Sequence, residues 1–296
     1  PKPSSAASDV YKRQIFHTTS DTEVVIHLLA SPAQQRAVDP LAATLRHLEG
    51  AFSLCFLFPD RLEAARDPWG WRPLVLGQMS DGRYVVASET VALDVVGAKF
   101  VREVEPGEIV TINDEGVSSR RFSEAVERPA HCVFEHVYFA NPSSDVFGQN
   151  VQLAREAMGM KLAEEAPVRG GADYVMPMPD SGRSAAAGYA RASGIPYTEG
   201  IVPNRYVGRT FIKPTQDQRN AAVRLKLNVI REIVAGKKIV VVDDSIVRGT
   251  TTRVKMNQLR EAGAKEILRE LKAVGGDLKA LRRALTGAER GPELWA

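Results

Sequence analysis

Apolar residues keep one rhythm in the first part of the chain and another in the second. Ser20 and Glu23 form a capping-box pattern ahead of the apolar run 24–29, and Asp39-Pro40 opens a second helix that is expected to end at Gly50. Short β-like runs follow at 51–58, 74–76, 84–87 and 109–112, separated by turn residues such as Pro59-Asp60, Asp81-Gly82 and Asp114-Glu115-Gly116. The expectation is a layered sheet domain with mostly antiparallel pairing. From 117 to 130 the apolar density drops and charged residues with a proline take over, which reads as a linker. Beyond it strand and helix alternate. Strands are expected at 133–139, 174–178 and 238–242, and helices at 150–165, at 184–192, over a long stretch ending near Ala235, and at 251–262. Such alternation predicts a parallel sheet with crossover helices, so the fold class is α/β with an α+β first part. No internal repeat is visible.

Composition narrows the class of protein. With 296 residues, 44% of them hydrophobic and 25% charged, the chain holds enough apolar surface for two cores and is not a disordered segment. It has no run of 18 apolar residues and no leader pattern, so the expectation is a cytoplasmic protein with no membrane contact. Its two cysteines, Cys55 and Cys132, form no CxxC pair, and thiols are expected. Cys55 falls in an alternating apolar strand and reads as core packing, while His131 and His136 have no metal-site spacing. The net charge of +3 does not suggest a nucleic-acid binder, but nine basic residues stand between 204 and 238 against only Asp217 and Glu232. Either a solvated helix face or a site for a compact anion accounts for that cluster.

The sharpest chemistry lies at Ile239-Val240-Val241-Val242-Asp243-Asp244-Ser245-Ile246-Val247-Arg248-Gly249-Thr250-Thr251. An apolar run of this kind is a buried parallel strand, so Asp243 and Asp244 emerge at its carboxyl end, where open α/β sheets bind ligands. The hydroxyls, the glycine and the backbone N–H groups that follow, at the start of a helix, make a phosphate cradle. Acids for sugar hydroxyls or a metal, beside a cradle, fit a ribose 5-phosphate. Met178-Pro179-Asp180-Ser181-Gly182 repeats the strand-end arrangement and can hold a second phosphate or its magnesium, or be a plain turn with a helix cap. Asn204-Arg205-Tyr206-Val207-Gly208-Arg209 lies in the basic segment and reads as an arginine-bearing lid.

These stretches, with 132–142, closely resemble the amidophosphoribosyltransferases, and 15–112 resembles that family's glutaminase domain through Thr18-Thr19-Ser20-Asp21-Thr22-Glu23, Arg66-Asp67-Pro68, Arg72-Pro73-Leu74 and Ala87-Ser88-Glu89. The resemblance implies a partial type 2 glutamine amidotransferase domain at 15–125, an N-terminal-nucleophile sandwich, followed by a type I phosphoribosyltransferase domain at 126–267. It also implies the chemistry: ammonia from glutamine displaces pyrophosphate from phosphoribosylpyrophosphate (PRPP), giving 5-phosphoribosylamine at the start of purine synthesis. Carried over by position, Asp243 and Asp244 hold the ribose hydroxyls or Mg2+, and Ser181 is the third magnesium position. Ser245, Arg248, Gly249, Thr250 and Thr251 cradle the 5-phosphate, Arg205, Tyr206 and Arg209 belong to the lid, and Asp21 receives the α-amino group of glutamine. A homo-oligomer is also implied.

The chain departs from the family at both ends. Residues 1–14 resemble nothing in it and look like a translated sequencing adapter, while 268–296 reads as a divergent helical tail. The family's N-terminal nucleophilic cysteine has no counterpart here, so this chain as written is not expected to hydrolyse glutamine. Some members of the family carry an iron–sulfur cluster; such a cluster needs about four thiolates, and with two cysteines none is expected. The alternatives are a non-catalytic PRPP-sensing regulator on the same fold, which should carry a DNA-binding module in front, or an inactive fragment.

Overall fold

Leu62–Arg66 (β2) is hydrogen-bonded on both edges, antiparallel to Ser53–Leu57 (β1) and to Glu108–Asn113 (β6). The computed structural model describes residues 18, 20–124, 126–204, 227–244 and 250–269. They form two compact units that divide between Cys132 and Val133, where the sequence suggested a boundary after 125.

In the first unit, helices α1 (Thr22–Leu29), α2 (Pro32–Gln35) and α3 (Pro40–Leu45) precede the strands. One sheet runs β1-β2-β6-β7, with β7 at Gly116–Arg121; a second runs β4-β3-β5, from Val75–Gln78 (β3), Tyr84–Ala87 (β4) and Lys99–Glu103 (β5). All pairs in these sheets are antiparallel, as expected. Val25, Leu41 and Leu45 of the helices pack with Phe56, Ala65 and Ile109 of the first sheet, while Ala64 and Val110 pack with Leu74, Leu76 and Val104. Helix α4 (Thr90–Val96) sets Leu93 against Val75 on the far side of the second sheet. The order of layers is thus helices, sheet, sheet, helix. Strand β2 carries Ala64 and Ala65 because it is buried on both faces.

Several boundaries differ from the sequence reading. The helix after Asp39 stops at Leu45 rather than Gly50, though Asp39 Oδ1 does cap it from 2.9 Å by accepting from the Ala42 N–H. Thr18 donates to Glu23 through both its N–H and its hydroxyl, so the Ser20–Glu23 capping box does not form. Part of the presumed linker is β7, which closes a hairpin on β6.

In the second unit, residues 133–139 are not a strand. Glu135–Phe139 is a π-helical turn, and buried Arg155 donates to its His136 carbonyl and to that of Ala140 just beyond. Strands β8 (Asp145–Val146) and β9 (Gln149–Asn150) lead into α5 (Val151–Glu165), capped by Asn150. Then come β10 (Tyr174–Pro177), α6 (Arg183–Ser193), β11 (Ile201–Pro203), β12 (Leu227–Val229), α7 (Arg231–Val234), β13 (Lys238–Val242), α8 (Thr250–Glu261) and β14 (Glu266–Arg269). The expected long helix ending near Ala235 is, within the described residues, strand β12 and the short α7; β14 takes up two residues assigned to the helical tail.

The sheet β10-β13-β14 is parallel. Val240 and Val242 face Leu162, Ala186 and Tyr189 of α5 and α6, whereas Ile239 and Val241 face Met256 and Leu259 of α8. Cover on both faces is why this strand is apolar at every position from 239 to 242.

Candidate phosphate-binding site at the ends of β10 and β13

Pro177 pairs with Val242, so the chain leaves the two parallel strands at the same level. From β13 come Asp243, half-buried, and Asp244, buried, whose N–H donates to Asp243 Oδ1 at 3.0 Å. From β10 comes the turn 178–182. The Met178 N–H donates to the Val242 carbonyl at 2.8 Å, and the Gly182 N–H to the Met178 carbonyl at 3.1 Å. No other residue fits at Gly182, where a Cβ would stand 2.6 Å from the Val242 oxygen and 2.8 Å from the Met178 oxygen. The turn that carries Ser181 is therefore pressed against the end of the strand that carries the two acids. Helix α6 starts directly behind it and turns its positive end toward the same place.

A polar group that the sequence did not signal flanks the turn. Arg183 Nη1 stands 3.5 Å from Asp180 Oδ1, and the same guanidinium donates to Glu199 Oε2 at 3.3 Å. The Tyr197 hydroxyl donates to Glu199 Oε1 at 3.2 Å. Burial, with the Glu199 carboxylate beside it, pushes the Tyr197 pKa up to about 12. Asp180 falls inside the 178–182 motif, but Glu199 lies 16 residues from Arg183 and belongs to no motif, so the pairing was not legible in the sequence.

Of the residues expected at this site, the structure brings together Ser181, Asp243 and Asp244. Thr250 and Thr251 are the first two residues of α8. Arg205, Tyr206, Arg209, Ser245, Arg248 and Gly249 lie outside the described residues. Magnesium fits the donors present, since two carboxylates and a hydroxyl are hard oxygen ligands. Among the described residues no three His, Cys, Asp or Glu side chains converge as a metal site.

In the first unit Asp21 occupies the N-cap position of α1. It is exposed and its carboxylate makes no capping hydrogen bond, because the cap geometry is helical rather than extended. Cys55 departs from expectation: it is exposed, on the opposite side of β1 from buried Phe56. Strand β1 is a sheet edge, and alternation alone does not reveal which of its faces is covered. Cys132 belongs to the first unit rather than the second, with its N–H donating to the Trp71 carbonyl at 3.0 Å.

With this geometry in place, likeness to known proteins is specific. A glutamine amidotransferase domain family matches residues 6–95, so the match takes in residues 6–14, which the sequence reading likens to a sequencing adapter and not to the family. Amidophosphoribosyltransferase of Bacillus subtilis is 51% identical over 253 residues, which are 86% of this chain and 52% of that protein. The chloroplastic amidophosphoribosyltransferase of Glycine max is 48% identical over 86% of this chain and 44% of its own length, and the amidophosphoribosyltransferase of Mycobacterium bovis is 48% identical over 90% of this chain and 47% of its own length. Among solved structures, the glutamine PRPP amidotransferase of B. subtilis complexed with ADP and GMP aligns with a TM-score of 0.79 at 43% identity, covering 96% of this chain and 66% of that one. The structure of an allosteric regulatory enzyme of purine biosynthesis aligns with a TM-score of 0.78 at 42% identity. The chain spans about half the length of the curated relatives it matches. It belongs to the amidophosphoribosyltransferase family.

Proposed function

We propose that this protein takes part in the glutamine-dependent conversion of PRPP to 5-phosphoribosylamine, pyrophosphate and glutamate, the entry step of purine synthesis, with PRPP and Mg2+ bound at the ends of β10 and β13. The observation that carries this reading is that the turn bearing Ser181 is packed against the end of the adjacent parallel strand from which Asp243 and Asp244 emerge. Asp243 and Asp244 orient the ribose hydroxyls, Ser181 and the turn around it receive the pyrophosphate end, and the start of α8 with the residues before it receives the 5-phosphate. When bound, magnesium neutralises charge on the departing pyrophosphate. Ammonia is already a nucleophile, so the chain's own task is to place and neutralise rather than to remove a proton. Asp21, exposed at the head of α1, takes the α-amino group of glutamine. The two free thiols fit a reducing cytoplasm, and the family likeness supports a homo-oligomer.

Calorimetric titration of the chain with PRPP in the presence of Mg2+, beside the Asp243→Asn/Asp244→Asn variant, tests the assignment. Binding by the unaltered chain and at least a tenfold loss in the variant are expected, as for removal of two charge-assisted contacts worth about 1.5 kcal/mol or more each. Equal affinity would sink it.

The chain's two cysteines have no part in this scheme. In any assay where the protein releases glutamate from glutamine, Cys55→Ala and Cys132→Ala should leave turnover unchanged; loss in either would mean that the nucleophile has been misplaced.

A further inference from the structure

A pyrophosphate arriving at this end of the sheet meets carboxylates. In the reading above magnesium would offset Asp243 and Asp244, while Asp180, exposed in the turn itself, adds a further negative charge beside Ser181. Only three residues on, the first residue of α6 supplies a cation that reaches back over the turn. Arg183 Nη1 lies 3.5 Å from Asp180 Oδ1, Nε lies 3.3 Å from Glu199 Oε1, and Nη2 donates to Glu199 Oε2 at 3.3 Å. Glu199 is itself fixed from the other side by the Tyr197 hydroxyl. The guanidinium is thus clamped between a carboxylate that holds it and a carboxylate it can neutralise.

We propose that Arg183 is a positioning residue for the anionic ligand: held by Glu199, it offsets the charge of Asp180 and keeps the 178–182 turn receptive to the pyrophosphate end of PRPP. The inference rests on the functional reading above. Arg183, Asp180 and Glu199 keep 42%, 71% and 38% of their side-chain surface in solvent, so their pairing contributes little to folding. Removing the cation should therefore alter the site and leave the fold intact. The charge it offsets would then act directly on the ligand.

The test is calorimetric binding of PRPP with Mg2+ to the full chain at low and high ionic strength. Arg183→Met should weaken binding about fivefold at low salt, the upper end for exposed charge pairs, with the deficit shrinking as salt screens it. Arg183→Lys should retain most of the affinity, and Glu199→Gln added to Arg183→Met should recover part of the loss by removing a carboxylate left unpaired. The thermal midpoint should be the same in all four proteins. Wild-type affinity in Arg183→Met, or a loss in Arg183→Lys as large as that in Arg183→Met, would overturn the proposal. An unaltered chain that binds no PRPP would instead bring down the functional reading, and this inference with it.

Discussion

Arg66 is 1% exposed, yet its guanidinium is fully engaged: it donates to the carbonyls of Gly70, Arg72 and Val104 and pairs with Glu103 at 3.2 Å. Those acceptors lie on both sides of β3, so one side chain at the end of β2 fixes the loops that connect the two sheets. Arg66→Met keeps most of the volume and strands the carbonyls; a loss of about 3 kcal/mol in urea unfolding of the first unit is expected, as for a broken buried ion pair. The Arg66-Asp67-Pro68 motif was visible in the sequence through family likeness, but its inward direction was not, because an arginine ordinarily signals surface. Cys55 is the reverse case: an apolar alternation suggested the core, and the structure leaves it exposed at a sheet edge. Desolvation by the surrounding strand pushes the Cys55 thiol above its ordinary pKa. Iodoacetamide should therefore label Cys55 in the folded chain, but more slowly at pH 7 than it labels a free cysteine, with the gap closing as pH rises.

Helices α5 and α6 touch backbone to backbone, and two glycines set that distance. A Cβ on Gly159 would fall 1.9 Å from the Ala185 oxygen, and one on Gly188 would fall 2.0 Å from the Glu156 oxygen. Gly159→Ala or Gly188→Ala should each cost at least about 1–3 kcal/mol by chemical denaturation, because the obstacle is main chain and the helices must part. Parting them would also move the start of α6 and with it the turn that bears Ser181. Strand β13 was legible from its sequence to the residue, since burial on both faces leaves an unbroken apolar run between Lys238 and Asp243. Strand β7 was not, because Ser118, Ser119, Arg120 and Arg121 carry no apolar alternation; its place comes from the hairpin with β6 and from Arg120, which pairs with Asp39 and Glu63. Residues 133–139 look like a strand by composition, but Arg155, far along the chain, secures carbonyls of a π-helical turn instead. Local pattern recovered elements whose burial is set by the sheet, and it failed where a distant arginine decides.

For the whole molecule, the two units should differ in their response to acid. Burial pushes the Glu108 carboxyl up, but Arg102, which donates to both of its oxygens, and the Glu105 N–H outweigh this and hold it below 4.5. Burial acts likewise on Asp39, and Arg120 with the Ala42 N–H holds it below 3.8. A carboxyl lowered by folding stabilises fully above its unfolded pKa, and that contribution is lost as pH falls through the folded value. Asp67 has the opposite sign, since burial raises its pKa despite three N–H donors, and its protonation partly compensates. In the second unit the lowered carboxyls, Glu156 and Asp173, are near the surface, where solvent weakens the effect. The first unit should therefore lose stability first as pH falls below about 4.5, and Arg102→Met should flatten that loss; a pH series of thermal melts checks both, with Trp295→Phe making fluorescence report the first unit through Trp69 and Trp71 while circular dichroism follows both units.

The pairing of Pro177 with Val242 makes the site a comparison of two lengths. Each strand acts as a ruler laid against its neighbour, and the ligand groups stand where the two rulers end. One residue inserted between Val240 and Val241 would push the acids about 3.3 Å past the turn and exchange the faces to which they point, while every side chain of the site remained present. Such a chain should still fold its helices onto the sheet, yet bind PRPP no better than one lacking the acids altogether. Substitutions across α5 and α6 can vary as long as they pack, but the number of residues in β10 and β13 cannot.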